Sequence, residues 1–145
     1  HLNLNRIGIF FPAFAASATI LFTSPTTPNA QPRSLFFSHI TAAIVGVSLA
    51  HVFQFVPNKN FGYKCAASVG VGLHLALMSM TNTMHPPASA TCVTAALTFV
   101  NKDSSSQGFL FVLYPILTCC IFLFLCSWLM NNLVAAHSPY PRYWW

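Results

Sequence analysis

Residues 109–136 read FLFVLYPILTCCIFLFLCSWLMNNLVAA, and this stretch contains no Asp, Glu, Lys or Arg. As a helix, which rises about 1.5 Å per residue, it is long enough to cross the ~30 Å hydrocarbon core of a bilayer. It also lacks the strict alternation of polar and apolar residues that marks a membrane-barrel strand. The stretch therefore predicts a transmembrane helix.

The composition of the whole chain agrees with this prediction. Of the 145 residues, 55% are hydrophobic and 5% are charged, whereas about a quarter of a soluble domain is charged. This excludes a soluble enzyme and a disordered chain. The formal charge of +5 reflects a shortage of acidic residues and does not indicate a nucleic-acid partner. We predict an all-α integral membrane protein, with one transmembrane domain over residues 1–145.

Five apolar segments follow one another along the chain, over residues 7–23, 34–56, 61–81, 86–100 and 109–136. The second, third and fifth are long enough to span a bilayer as helices. The fourth is too short, because a helix over residues 88–100 rises only ~20 Å. The first is similarly shortened, since Pro12 lies near its middle. The sequence therefore predicts a small transmembrane helix bundle with two short or broken helices.

The two short segments share a tetrapeptide, Ala16-Ser17-Ala18-Thr19 in the first and Ala88-Ser89-Ala90-Thr91 in the fourth. Short helices that each follow a proline, at matching positions in two halves, are typical of transporter folds with broken helices at their centre. We therefore expect an internal repeat in which the two tetrapeptides lie close together, near the N-terminal ends of their helices. A symmetric design would place a further transmembrane helix upstream of residue 1.

Small residues recur every four positions in the second and third segments, as they do where helices pack closely in lipid. The sets are Ala42, Gly46 and Ala50; Ala66 and Gly70; and Ser68, Gly72 and Ala76. Residues 23–33 (TSPTTPNAQPR) predict a rigid, extended connector because they hold three prolines. Residues 138–145 (SPYPRYWW) have the composition of an interfacial anchor. The five cysteines, none in a zinc or CxxC spacing, are predicted to be free thiols.

Residues 84–91 (MHPPASAT) carry the strongest sign of a ligand site. Two prolines suit the first positions of a helix, and the small residues after them expose its first N–H groups, which attract anions. We predict a small-anion site with His85 beside it as a proton-dependent charge. Its expected members are His85, Ala88, Ser89, Ala90 and Thr91, with Ser17 and Thr19 from the other short helix, and Arg33 either attracting anions at the mouth or anchoring the interface. The alternative is that Pro86-Pro87 only separates two helices, with His85 bonded to a backbone carbonyl.

Two further histidines are candidates for buried polar groups. His74 lies near the middle of the third segment, where a polar side chain usually faces a cavity or a partner. His39 lies near one end of the second segment, where it could also be interfacial. A single acidic residue, Asp103, excludes carboxylate dyads and Ser-His-Asp triads, and no CxxCH haem motif is present. We expect no enzyme activity, no cofactor and no metal.

Residues 85–87 (HPP), followed by Ala-Ser-Ala-Thr, resemble the signature of the HPP family of integral membrane proteins. The resemblance covers nearly the whole chain. Residues 14–18 (FAASA) resemble the family's FGASA stretch, residues 28–33 (PNAQPR) its PLAQPR loop, and His39 falls where the next helix carries a histidine. Asn131-Asn132 and residues 140–145 (YPRYWW) also fit. The sequence departs from the family pattern at three positions, with Ala15 and Ser89 in place of glycines and Asn29 in place of a leucine.

The resemblance implies a small bundle of transmembrane helices and, for plant and cyanobacterial members, nitrite transport, which in plants crosses the plastid envelope. We therefore expect transport of a small anion such as nitrite across an organellar membrane, either the mitochondrial inner membrane or the plastid envelope. The alternative is a non-catalytic accessory subunit of a larger respiratory or photosynthetic complex. The expected partners are membrane lipids, the anion, and either further copies of this chain or the subunits of such a complex.

Overall fold

A computed structural model describes residues 12–98, 108–134 and 139–144. It contains five helices, α1 Pro12–Thr23, α2 Pro32–Phe53, α3 Lys59–Thr81, α4 Ala88–Thr98 and α5 Thr118–Leu133. The described part of the chain contains no strand, so the prediction of an all-α membrane bundle is confirmed. Those parts of the first, fourth and fifth predicted segments that fall on residues 7–11, 99–100 and 135–136 lie outside the described residues.

Three helical stretches are long and apolar enough to cross a membrane, Pro32–Phe53, Lys59–Thr81 and Val112–Leu133. They match the three predicted spans. The third combines α5 with an irregular turn at Val112–Leu117, where the backbone leaves the helical conformation at Tyr114 (φ −136°, ψ 116°), just before Pro115. The short helices are also confirmed, because α1 has 12 residues and α4 has 11, so each rises less than ~20 Å.

The two short helices run in opposite directions along α2. On α1, Ser17 lies beside His39, while Leu21, one turn later, packs with Leu35, one turn earlier on α2. On α4 the order is parallel, since Ala88 packs with Ala42 and Ala96 with residues nearer the end of α2, Leu49 and Phe53. The N-terminal parts of the two described short helices therefore lie near the middle of α2, and the helices extend toward its opposite ends. This agrees with broken helices at the centre of the bundle, and the internal repeat stays a prediction.

A close crossing of α2 and α4 holds the centre of the bundle together. A Cβ atom on Gly46 of α2 would lie 2.4 Å from the carbonyl oxygen of Cys92 and 2.7 Å from the Cβ atom of Ala95. Gly70 of α3 is similarly crowded, since its Cβ would lie 2.8 Å from Sγ of Cys92. Two of the predicted small-residue sets are therefore packing surfaces. The third set is exposed, and a Cβ on Gly72 would meet no atom within 4 Å.

The connector before α2 is a compact turn and not the extended segment that the sequence predicts. The amide of Thr27 donates to the carbonyl of Ser24, and the amide of Ala30 donates to that of Thr27. The side-chain amide of Gln31 fastens the turn from inside, because its Nε2 donates to the carbonyls of Pro25 and Thr27, each at 2.9 Å. The prolines fix φ but do not prevent these hydrogen bonds, because the donors belong to the residues between them.

The C-terminal tail packs onto this turn, a contact that its composition, typical of an interfacial anchor, does not predict. Tyr140 is only 2% exposed, and its hydroxyl donates to the carbonyl of Ala30 at 2.8 Å. Burial raises the pKa of the Tyr140 phenol, so the group stays protonated and able to donate. Oε1 of Gln31 accepts from the amide of Arg142 at 2.9 Å. Among the described residues of the tail, Arg142, Tyr143 and Trp144 are exposed, as an interfacial anchor requires.

The outer surfaces of the bundle suit contact with lipid. Large apolar side chains of α3 and α5 are exposed, among them Leu73, Leu75, Met80, Phe122, Leu125 and Leu129. The described charges lie at the two ends of the spans, Arg33 and Arg142 near the turn before α2, and Lys59 and Lys64 at the start of α3. All five cysteines are free thiols, as predicted.

We expect Gly46→Ala to destabilise the bundle, because its Cβ would collide with the backbone of α4 and the helices must then separate. Overpacking of this kind costs about 1–3 kcal/mol. Gly72→Ala is the matched control, since it adds the same methyl group to open space on α3 and is expected to leave stability unchanged. Thermal unfolding of both variants in detergent measures the difference. Equal unfolding temperatures would show that the α2–α4 crossing is looser than described.

Candidate anion-binding site

His85 lies in the short segment that joins α3 to α4. The helix α3 ends at Thr81, and the next residue, Asn82, adopts a left-handed conformation (φ 52°) that turns the chain back into the bundle. The side chain of His85 is fully buried, and its Nδ1 lies 2.7 Å from the carbonyl oxygen of Asn29. Because a carbonyl can only accept, Nδ1 carries the hydrogen of this bond. His85 is therefore bonded to a backbone carbonyl, which is the alternative that the sequence analysis gave for this residue. Its second nitrogen, Nε2, is not part of this bond.

The second nitrogen of His85 meets a serine hydroxyl that joins three parts of the chain. Oγ of Ser17 lies 2.7 Å from Nε2 of His85, 2.9 Å from Nε2 of His39 and 3.0 Å from the carbonyl oxygen of Ala13. Ser17 belongs to α1 and His39 to α2, so one oxygen atom connects both helices to the segment before α4. Ser17 and both histidines are fully buried.

His39 continues this network to α4. Its Nδ1 lies 2.8 Å from Oγ1 of Thr91, which is also fully buried. The ring of Phe14 stacks on the imidazole, with centroids 4.6 Å apart and planes 13° from parallel. The two imidazoles are tilted neighbours, with centroids 5.2 Å apart. We call the four side chains Ser17, His39, His85 and Thr91 the histidine cluster.

The hydrogen positions of the neutral cluster follow from the bond between His85 and Asn29, in which the donor is known. Because Nδ1 of His85 donates to Asn29, Nε2 of a neutral ring accepts, and the hydroxyl of Ser17 must donate to it. The single hydrogen of Ser17 is then used, so Nε2 of His39 donates to Oγ. Nδ1 of His39 in turn accepts from Thr91. Every polar atom of the two imidazoles thus has a partner.

The cluster lies inside the membrane-spanning part of the bundle. His39 is seven residues from the start of α2 at Pro32, which places it about 10 Å along the helix axis. His39 is fully buried within the bundle, which favours the buried position over the interfacial one that the sequence also allowed. A polar group at this depth is costly unless it is paired, and paired polar groups inside membranes usually mark a functional path.

Two buried polar atoms near these helices have no hydrogen-bond partner among the described residues, Nδ1 of His74 and Oγ of Ser89. Nε2 of His74 donates to the carbonyl of Ser38 at 3.0 Å, so a neutral ring leaves Nδ1 as an acceptor. Ser89 lies in the first turn of α4, two residues before Thr91. His74 is buried, as predicted.

The first N–H groups of α4 are not free, which corrects the donors predicted for the anion site. The amides of Ala88, Ser89 and Ala90 donate to the carbonyls of the three preceding positions, His85, Pro86 and Pro87, at 2.9–3.1 Å. The prolines thus form a tight hydrogen-bonded turn instead of exposing the helix end. An anion at this position would be held by side chains, and the helix end would contribute only its field.

Three predicted members lie away from the cluster. Thr19 is exposed, and its hydroxyl donates to the carbonyl of Ala15 in its own helix at 3.1 Å. Ala90 is exposed on α4. Arg33 is exposed and donates to the carbonyl of Thr81 at 3.0 Å, so it ties the start of α2 to the end of α3. The structure brings together His85, Ser17, Thr91 and His39 from the predicted set.

Three contributors were missed by the sequence reasoning, the carbonyls of Asn29 and Ala13 and the ring of Phe14. The carbonyls belong to the backbone, which every residue carries, so no side-chain pattern signals them. Within residues 12–98, 108–134 and 139–144, no three His, Cys, Asp or Glu side chains converge as metal ligands would.

We expect Thr91→Val to destabilise the bundle by about 1–3 kcal/mol, the cost of leaving a buried acceptor, Nδ1 of His39, without its donor. Thr94→Val is the control, because Thr94 lies on the same helix and its hydroxyl donates to the carbonyl of Ala90 in that helix. Thermal unfolding in detergent compares the two variants. Equal losses would indicate that Thr91 does not support the cluster.

Comparisons with known proteins agree with the architecture. The sequence model of the HPP transmembrane region matches residues 2–141. A transmembrane protein of Dictyostelium discoideum is 38% identical over 140 residues, which are 97% of this chain and 47% of the relative. A second one from the same organism is 33% identical over 133 residues, 92% of this chain and 40% of the relative.

The chain therefore spans less than half the length of either relative. No solved structure matches it significantly. The family match over nearly the whole chain, together with the three membrane-spanning helices, identifies the protein as a member of the HPP transmembrane family.

Proposed function

We propose that this chain forms the transmembrane domain of a transporter for a small anion of the size of nitrite. The histidine cluster is the observation that carries the proposal. It places two imidazoles and two hydroxyls inside the bundle, where the two short helices begin. Their hydrogens are used within the neutral cluster, so an anion is bound by exchange of these hydrogen bonds, at the place where transporter folds with broken helices hold their substrates.

A purely structural role would explain a fully paired cluster but not the unpaired atoms beside it. Oγ of Ser89 is buried without a partner, and such an atom costs free energy in the interior of a membrane protein. A hydroxyl in the first turn of α4 can donate to an anion without breaking any bond of the described cluster. Ser89 is therefore the first ligand that we assign, with His85, in the segment just before α4, as the second. Thr91 lies two positions after Ser89 and hence on another face of α4.

The electrostatics of the site favour weak binding of an anion. The N-terminal end of α4 contributes roughly half a positive charge, and the field is strong because the surroundings are apolar. The described Lys and Arg side chains are exposed, so none of them lies inside the bundle to hold the anion in a permanent ion pair. A transported substrate must also leave its site, and a partial charge releases it more readily than a full ion pair does.

The nearer membrane face carries the charges that would attract an anion. Arg33 lies at the start of α2, about 10 Å along the helix from His39. Arg142 is joined to the same turn through Gln31. We assign to this face the mouth of the pathway, with Arg33 and Arg142 raising the local anion concentration.

We further propose that the membrane is organellar, either the mitochondrial inner membrane or the plastid envelope, and that the chain catalyses no covalent reaction. The proposal for nitrite rests on the family resemblance. The names of the two Dictyostelium relatives state only that they are transmembrane proteins. Localisation of a fluorescent fusion of the full-length protein, compared with organelle markers, tests the membrane assignment.

Nitrite uptake into vesicles containing the purified protein tests the proposal. We expect His85→Ala to reduce uptake about tenfold or more, and Ser89→Ala about fivefold, as the loss of a charge-assisted and a neutral hydrogen bond predicts. Ser68→Ala is the matched control, because its hydroxyl is exposed on α3 and donates to the carbonyl of Lys64. It should transport as the wild type does.

Two results would contradict the proposal. One is wild-type protein that moves no small anion, and the other is uptake by both site variants at the wild-type rate. If such a protein also purifies in fixed proportion with other membrane proteins, the accessory-subunit alternative takes the place of transport.

A further inference from the structure

The hydroxyl of Ser17 has one more potential partner than its single hydrogen can serve. Besides the two imidazole nitrogens, the carbonyl oxygen of Ala13 lies 3.0 Å from Oγ. In the neutral cluster the hydrogen of Ser17 points to His85, and the carbonyl of Ala13 receives nothing from it. The third partner therefore receives no hydrogen from Ser17 in that state, and it remains available to accept one in another.

That other state contains one extra proton on Nε2 of His85. The protonated ring donates from Nδ1 to Asn29, as before, and from Nε2 to Oγ of Ser17. The hydroxyl hydrogen of Ser17 then turns to the carbonyl of Ala13, while Oγ accepts from both His85 and His39. Each donor again has an acceptor, and no heavy atom needs to move.

An extra proton on His39 cannot be accommodated by the same rotation of a hydroxyl group. A second hydrogen on its Nδ1 would point at Oγ1 of Thr91, which donates to that nitrogen in the neutral state, so the threonine would have to turn its hydrogen away. The described contacts show no further acceptor prepared for it. The hydrogen-bond geometry therefore accommodates an extra proton on His85 and not on His39.

The charge of that proton has no counter-charge within the described residues. From α2 and α3 the ionisable neighbours are His39 and His74, and an imidazole is either neutral or positive, so neither supplies a counter-charge to a cation on His85. The helix α1 presents Ser17 and Phe14, and α4 presents Thr91 together with the thiol of Cys92, which packs on Ala42 and Ala88. The only acidic residue of the chain, Asp103, lies in the polar stretch between α4 and α5 and outside the described residues.

We propose that the histidine cluster binds one proton for every anion, so that transport is an electroneutral co-movement of a proton and an anion. This inference rests on the proposed function. A proton from the aqueous phase joins the lone pair on Nε2 of His85, and the anion is the counter-charge that the bundle lacks. Burying either charge alone inside the bundle costs more free energy than burying the two together as a neutral pair. Both leave together on the opposite side, and the cluster returns to its neutral state.

The test uses wild-type protein in vesicles that enclose a pH-sensitive dye. An inward nitrite gradient at mildly alkaline pH should acidify the vesicle interior in proportion to nitrite uptake, one proton for each anion. Imposing a membrane potential with potassium and valinomycin should leave the initial uptake rate unchanged. Protein-free vesicles measure the leak of nitrous acid through lipid, and this leak is subtracted.

The results of the vesicle experiment distinguish the proton coupling from the proposed anion transport. Uptake that follows the membrane potential and moves no protons overturns the proton coupling and leaves anion transport standing. Absence of protein-dependent uptake removes the proposed function itself. Proton flux that equals nitrite flux and ignores the potential supports the coupling.

A second measurement does not depend on transport. In detergent, nuclear magnetic resonance of ¹⁵N-labelled histidine reports the protonated fraction of each ring, and nitrite at constant pH should raise that fraction for His85. Ser17→Ala should abolish this response, because the protonated ring loses its acceptor. Thr23→Val, which alters an exposed hydroxyl of the same helix, should retain it. A response that persists in Ser17→Ala would contradict the role assigned to the hydroxyl.

Discussion

The oxygen atom of Ser17 holds together elements that are distant in the sequence. It lies within hydrogen-bond distance of His39 on α2, of His85 before α4 and of a carbonyl of its own helix. In lipid, helices gain little from burying apolar surface against one another, so such polar contacts and close packing decide how they meet. The position of α1 against the rest of the bundle follows from this contact and from the stacking of Phe14 on His39.

Close packing supplies the other half of the arrangement. The histidine cluster can form only if α4 approaches α2 closely enough for Thr91 to reach His39, and Gly46 makes this approach feasible because it has no side chain between the helices. The crowding at Gly70 extends the same contact to α3. Small residues such as Gly46 therefore determine the distance between α2 and α4. The hydrogen bond between His39 and Thr91 determines which faces of these two helices meet.

The sequence predicts much of this fold because charges and prolines mark its boundaries. The three spans and the two short helices follow from apolar length alone, and the packing role of Gly46 follows from four-residue spacing. The orientation of the short helices could not be predicted in the same way. Since α1 and α4 are apolar on nearly every side, their composition does not reveal which face is inward. Thr19 was therefore placed in the site, although Ser17 alone of the two is buried.

Backbone groups account for the remaining difference between expectation and structure. The expected anion donors were amides of α4, but the tight turn after Pro86 and Pro87 occupies them. The partner of Nδ1 of His85 is a carbonyl at Asn29, 56 positions earlier in the chain. Such a contact depends on the tertiary fold, and a histidine side chain in a sequence does not indicate which distant carbonyl it will meet.

The hydroxyl hydrogen of Ser17 also determines how quickly the cluster can change state. Its two orientations differ by rotation about a single bond, a motion of the picosecond-to-nanosecond class, whereas rearrangements of packed helices take microseconds to milliseconds. Under the proposed proton uptake, this change of orientation is therefore complete long before α1 or α4 can move. In a transporter built in this way, rotation of the Ser17 hydroxyl would not limit the turnover rate, which a slower step would set.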